Sequence, residues 1–283
     1  MSAPIEQGDT YTPRLTVTDS SGAPVNAGSV TVTITLPDGT TTSPAAVNAG
    51  TGLYDVDYAT TQVGRHTLIS VATGGGLGSA TQKYDDVFHV EPPGRFLVGF
   101  DDAVTQLRGK LTITTLDDRE QLRWLCVVAS DAVERDLDLV VAQRVVVETH
   151  NGGRYSLELR QHPVIAVQTV VEDGTTLSNG GDDYIFDDEL ELLYRGGQRS
   201  LSCWSWGRRN VVVTYLAGML STPAVLRQVA LYLIQSLWQS SQQAPHTMLD
   251  ESQLEDATLA AVGLLAGLPK PLQRAYNQLR NKA

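Results

Sequence analysis

The chain has 283 residues, 42% of them hydrophobic and 19% charged, with a formal net charge of -11. That length allows two domains, each able to bury a core, and the acidity excludes a polycation that grips nucleic acid by neutralising its phosphates. Two cysteines, Cys126 and Cys203, are too few for a disulfide scaffold and read as small buried hydrophobes. The start, Met1-Ser2-Ala3-Pro4, has neither the basic residues nor the apolar run of a signal peptide. The longest apolar stretch, 225–238, is broken by Arg227, Gln228 and Gln235 and is too short and polar to span a bilayer. The expectation is a soluble protein made in the cytoplasm.

Residues 1–91 read as all-β. Arg14-Leu15-Thr16-Val17-Thr18 and Ser29-Val30-Thr31-Val32-Thr33-Ile34-Thr35 alternate apolar residues with threonine, the period-2 pattern of strands with one buried face. Further strands are predicted over 53–58, 66–71 and 86–90. Turns fall at Asp19-Ser20-Ser21-Gly22, Leu36-Pro37-Asp38-Gly39 and Asn48-Ala49-Gly50-Thr51-Gly52, a spacing that suggests a β-sandwich. Pro37-Asp38-Gly39, Gly52-Leu53-Tyr54 and Gly64-Arg65-His66-Thr67 resemble the wording of bacterial immunoglobulin-like or fibronectin-like modules, without their Cys-Trp-Cys pattern. Glu91-Pro92-Pro93-Gly94 ends the last strand and opens a Pro/Gly linker, 92–99.

Residues 100–243 read as a second, mixed domain. Asp101-Asp102 opens a short helix. A second begins at Thr115-Leu116-Asp117-Asp118, with a Thr/Asp cap and acid in its first turn. Leu122, Leu125, Cys126, Ala129, Val133 and Leu137 then give it one apolar stripe, with Arg123 among the polar residues off that stripe. Strands follow at 144–149, 154–160, 164–172, 184–187, 190–194, 200–204 and 210–216, with a hairpin turn at Asp173-Gly174. Thr222-Pro223 starts a last long helix. Its Val225, Leu226, Val229, Leu231, Leu233, Ile234, Leu237 and Trp238 make it apolar nearly all round, as suits the inside of a domain or a contact between subunits. Residues 244–283 read as an acidic loop followed by a C-terminal docking segment that ends in a basic helix.

No catalytic constellation emerges. Asp182, Asp183, Asp187, Asp188 and Glu189 are dense enough to consider for calcium, but the spacing is not an EF-hand, and a charged, solvated hairpin edge is the plainer reading. His66, His89, His150, His162 and His246 show no metal-ligand pairing. Gly74-Gly75-Gly76-Leu77-Gly78 lacks the Lys-Ser/Thr of a phosphate loop and reads as a hairpin loop. Neither a metal nor a cofactor is expected. Trp204-Ser205-Trp206-Gly207-Arg208-Arg209 mixes the residues that anchor protein interfaces with those that stack on bases, and is read as an interface hairpin. Leu226 and Trp238 on the apolar helix, and Arg274, Tyr276 and Arg280 near the C-terminus, are the other candidate contacts.

From Phe100 onward the pieces, in order, resemble the head-tail connector (adaptor) family of tailed bacteriophages. They are 101–108, the Asp-capped helix through Val133, 162–170 with the Asp173-Gly174 turn, Asp183-Tyr184-Ile185-Phe186, 211–218, and Pro223 before the last long helix. The resemblance implies a multidomain α+β protein. An immunoglobulin-like sandwich at 1–91 precedes a mainly helical connector domain at 100–243 that carries an antiparallel β-hairpin and sheet insert. It also implies a structural virion protein and not an enzyme: a homo-oligomeric ring, usually twelve-fold, beneath the portal protein. Such a ring meets a tail-side stopper or terminator, extends the channel through which double-stranded DNA passes, and is assembled in the host cytoplasm. The alternative is an extracellular or virion-surface binding protein that uses the sandwich for adhesion.

Overall fold

The computed structural model describes residues 3–179, 182–197, 200–243 and 254–280. The chain divides into two compact units, Met1–Asp131 with Ala230–Leu268, and Ala132–Val229 with Pro269–Ala283. The described helices are α1 (Phe100–Gln106), α2 (Leu116–Leu137), α3 (Ala224–Gln243), α4 (Leu254–Leu265) and α5 (Lys270–Arg280). None is long and apolar enough to cross a membrane.

In the first unit the strands are β1 (Ile5–Glu6), β2 (Thr10–Tyr11), β3 (Arg14–Thr16), β4 (Ser29–Thr35), β5 (Thr41–Thr42), β6 (Ala46–Gly50), β7 (Leu53–Val56), β8 (Tyr58–Ala59), β9 (Gly64–Thr73) and β10 (Thr81–Glu91). They form one sheet in the order β1-β10-β9-β4-β5, a second in the order β3-β7-β6, and the pair β2-β8. Alternation puts Val32 and Ile34 of β4, Leu68 and Ala72 of β9, and Leu15, Tyr54 and Val56 of the second sheet into one core. Phe88 stacks between Tyr11, at 4.0 Å, and His66, at 4.9 Å. The predicted glycine loop at 74–78 is the β9–β10 connection, a short 3-10 turn at Gly75–Leu77.

The segment expected as a linker, 92–99, is packed within this unit. Leu97 and Val98 are buried. The Phe96 amide donates to Glu6 Oε1 at 3.0 Å and the Leu97 amide to Ser130 Oγ at 3.0 Å. Helix α2 starts at a capping box. Thr115 Oγ1 accepts from the Asp118 amide at 3.0 Å, and Asp118 Oδ2 accepts from the Thr115 amide at 2.8 Å. Residues 121–130 of α2 are then buried all round, Gln121 and Arg123 included, which overturns the single-stripe expectation. Arg123 is accommodated because its guanidinium donates to the Thr10 carbonyl at 3.0 Å, lies 3.7 Å from Asp9 and sits 4.5 Å over the Phe100 ring.

The second unit is built on strands β11 (Arg144–His150), β12 (Ser156–Glu158), β13 (Val164–Glu172), β14 (Thr175–Leu177), β15 (Tyr184–Asp187), β16 (Leu192–Gly197), β17 (Ser200–Ser202) and β18 (Val211–Ala217). One sheet runs β11-β18-β13-β14; the other runs β12-β16-β15, with β17 also on β16. The Asp173-Gly174 turn has both residues at positive φ, 49° and 81°, as a two-residue hairpin with the native twist requires. Val170, Leu157, Leu159, Tyr184, Leu193, Trp204, Val211, Val213 and Tyr215 share one core. That core is made of strands and their loops, so here the sheets are the body of the unit and not an insert in a helical domain. The physical reason is the density of β-branched residues at 145–147, 164–171 and 211–214.

Candidate interaction groove

β11 and β12 are consecutive, yet they do not pair. β11 pairs along its whole length with β18, and β12 pairs with β16, so each is an edge strand of its own sheet. The two arms are joined at their base by Glu148. This carboxylate is 8% exposed and sits in the inward phase of β11. It accepts from the Tyr215 hydroxyl at 2.6 Å and from the Arg160 amide at 3.2 Å. His150 Nε2 lies 3.1 Å from Glu148 Oε2 but is buried without the alignment of a hydrogen bond. Burial lowers the imidazole pKa of His150, against the pull of Glu148. The Tyr215 phenol is raised above its ordinary range, by burial first and by Glu148 second.

Beyond Glu148, Thr149–Asn151 and Ser156–Arg160 line a groove of about 790 Å³, within the size range of sites that enclose small ligands. Leu157 and Leu159 form buried parts of its wall, and Arg154, Arg160 and Arg209 line it. It meets a second recess of about 200 Å³ through Asp138, Arg160 and His162, and that recess adds Arg135. Among the described residues Arg135, Arg154, Arg160 and Arg209 have no ion-pair partner, whereas Arg144 pairs with Glu134 at 3.1 Å. The lining carboxylates are Asp138, Glu158 and, in the recess, Glu134. His162 is held by Glu191, which also accepts from the Val164 amide at 2.9 Å.

The predicted hairpin 204–209 contributes to this groove unevenly. Trp204 is fully buried, so it is a core residue; Arg195 lies 5.9 Å over its ring and pairs with Glu172 at 2.8 Å. Trp206 is 88% exposed and lies against the Gly153 backbone, where an added Cβ would come within 3.0 Å of its ring. Arg208 points to solvent and Arg209 lines the groove. Of the other candidates, Leu226 and Trp238 are buried in the chain. Tyr276 is buried too, donating to Asp136 at 2.9 Å, with Arg280 3.6 Å from the same carboxylate. Arg274 is exposed. Of these candidates only Arg209 lines the groove.

Both cysteines are free. Cys126 is buried and its thiol is pushed up to about 12 by burial, whereas Cys203, expected inside, is exposed on the loop after β17. Among the described residues no group of His, Cys, Asp or Glu has metal-binding geometry; His246 lies outside them. In the acidic cluster Asp187 caps its own turn, accepting from the Glu189 and Leu190 amides, and Asp183 accepts from the Ser178 amide.

Sequence reasoning missed Glu148, His150, Arg154 and Arg160. The signal was present in β11, where Val146, Glu148 and His150 share the inward phase, so two polar residues stand where alternation calls for apolar ones.

No family model and no curated protein matches the chain. Solved structures similar to it include a chain of the neck of an empty gene transfer agent particle computed with C6 symmetry, at 16% identity and TM-score 0.37, covering 60% of this chain and 90% of that one. A chain of the native particle neck computed with C12 symmetry has 15% identity and TM-score 0.35, with the same coverage. The Lin-41 filamin domain matches at 15% identity and TM-score 0.25, over 31% of this chain and 83% of that one. All three scores lie below 0.5, the level at which a shared fold is established.

Proposed function

We propose that this chain is a structural protein of a phage-type virion neck, a head-to-tail adaptor that assembles as a ring, usually twelve-fold, beneath the portal. Its partners are then its own copies, the portal protein and a tail-side stopper or terminator, and double-stranded DNA passes through the ring without sequence-specific binding. The chain performs no catalysis in this role and takes no cofactor. The sandwich at 1–91 is read as an immunoglobulin-like addition to the adaptor.

The observation that carries the reading is how the connector-like motifs fall on the elements. Asp101 and Asp102 lie in the first turn of α1, the Thr115/Asp118 box caps α2, and 164–172 is β13 with its Asp173-Gly174 turn. Tyr184-Ile185-Phe186 lies in β15, 211–217 is β18, and Pro223 directly precedes α3. The acidity supports it as well, because a channel that lets duplex DNA slide must not neutralise its phosphates.

The test is negative-stain electron microscopy of the protein alone and co-expressed with the portal encoded in the same genome. A ring with a central channel, alone or stacked on the portal, is the expected result. Separate particles in both preparations would overturn the adaptor reading.

A further inference from the structure

We propose that the groove lined by Thr149–Asn151 and Ser156–Arg160 binds a small phosphate-bearing saccharide or polyol, with its phosphate at one end and its hydroxyls at the other. This inference goes beyond the adaptor reading and does not depend on it. It rests on how charge is divided along the groove.

Arg154 and Arg160 lie on either side of β12, each two residues beyond it. A strand rises roughly 3.3 Å per residue, so the two arginines stand at opposite ends of the groove. Arg209 belongs to the Arg154 end, because its amide donates to Asn151 Oδ1. That bond leaves the side-chain nitrogen of Asn151 as a further donor. The two lining carboxylates fall toward the other end: Glu158 closes β12, and Asp138 is shared with the recess that also takes Arg160.

The Arg154 end therefore offers two guanidiniums and an amide with no lining acid beside them. A phosphate monoester matches it, since it carries close to two negative charges and three acceptor oxygens that guanidiniums bind in forked pairs. A carboxylate brings only one charge to two cations. At the Arg160 end donors and acceptors are mixed. A hydroxyl both donates and accepts, so it is satisfied between Arg160 and the carboxylates of Asp138 and Glu158, whereas a second anion there would be repelled by both acids. Neither carboxylate makes an ion pair or a side-chain hydrogen bond among the described residues. A nucleotide fits less well. Bases are held by stacking on aromatic side chains, and among the described residues no Phe, Tyr or Trp lines the groove. Its two histidines are held by the fold, His150 buried beside Glu148 and His162 against Glu191.

The probes are glucose 6-phosphate and glycerol 3-phosphate, each titrated into the full chain by calorimetry and followed by amide hydrogen exchange. Glucose, inorganic phosphate and a short DNA duplex are the controls. Saturable binding of at least one phosphate ester is expected, tighter than that of glucose or inorganic phosphate, with slowed exchange in 151–160. The double variant R154Q/R209Q should lower the ester's affinity by at least about tenfold. D138N should narrow the preference for the ester over inorganic phosphate; Asp138 has φ 54°, a conformation that asparagine also adopts. R208Q changes an exposed neighbour that does not line the groove and should leave the affinity unchanged. Arg154 and Arg209 are exposed, and circular-dichroism melts confirm that the variants fold. No binding of either ester, inorganic phosphate binding as tightly, an affinity unchanged in R154Q/R209Q, or an equal loss in R208Q overturns the proposal. Duplex binding lost in R154Q/R209Q would assign the groove to nucleic acid and also overturns it.

Discussion

Two sites, one in each unit, use arginine in opposite ways. In the first, Arg123 is 9% exposed and each of its neighbours is fixed: the Thr10 carbonyl, Asp9 and the Phe100 ring. In the second, Arg154, Arg160 and Arg209 are exposed around a groove and have no ion-pair partner. Taking a cation out of water costs several kcal/mol unless it is hydrogen-bonded and paired, so the first arrangement holds only because folding satisfies it. The second adds little to folding, and its side chains remain available to another molecule.

The largest expected effect follows from breaking the first arrangement. Arg123→Met leaves Asp9 partly buried without its cation and the Thr10 carbonyl without its donor. The cost is about 3–5 kcal/mol, typical of a buried pair that loses one member, and is read by urea denaturation. A loss below about 1 kcal/mol would mean that water reaches Asp9 and that the contrast between the units is shallow. A smaller effect is expected at the base of the groove. Tyr215→Phe removes the hydroxyl that donates to Glu148 and accepts from the Gln161 amide. The expected loss is about 1–3 kcal/mol, together with faster amide exchange at Arg160 and Gln161.

The acids around Arg123 sharpen the contrast through pH. Burial raises the carboxyls of Glu6, Asp9 and Glu120 above their ordinary values. A carboxyl whose folded pKa lies above its unfolded value contributes stability that is fully present below the unfolded value and is lost as pH rises through the folded one. Glu120→Gln removes one such group. Its stability relative to the wild type should therefore rise between pH 4 and pH 8. Comparing variant with wild type cancels His66, whose buried imidazole has a lowered pKa and responds in the opposite sense. A difference that stays flat with pH would show that the Glu120 carboxylate is well solvated.

The strict alternation of β4 was legible from residue types alone and the strand has the predicted bounds; β15 and the Asp173-Gly174 turn also fall where expected. The two long helices were misread in complementary ways. Helix α2 looked amphipathic because Arg123 counts as polar, yet it is buried, since its guanidinium meets the Thr10 carbonyl and Asp9, both distant in sequence. Helix α3 looked apolar all round, yet Arg227 and Gln228 are exposed and Val225, Leu231 and Leu237 are only half-buried. Residue counting prices a side chain by type, whereas burial is decided by what the fold brings beside it. The groove was hidden for the same reason. Arg209 is far in sequence from Arg154 and Arg160, yet all three line the groove. Trp204 and Trp206 illustrate the limit at close range: two residues apart in one motif, one is fully buried and the other 88% exposed.

The smallest expected effect on folding lies at Arg209. Its φ of 53° is in the left-handed region, where a side chain is disfavoured. Its amide donates to Asn151 Oδ1 at 2.8 Å, a bond that any residue but proline keeps. Arg209→Gly removes the strain at a small cost in chain entropy, so stability should stay level or rise by up to about 1 kcal/mol. The same substitution takes one guanidinium from the groove. Stability is measured by urea denaturation. A fall in stability of more than about 1 kcal/mol would show that the side chain packs into the fold. Arg209 would then belong with Arg123, and the contrast between the two units would fail at this position.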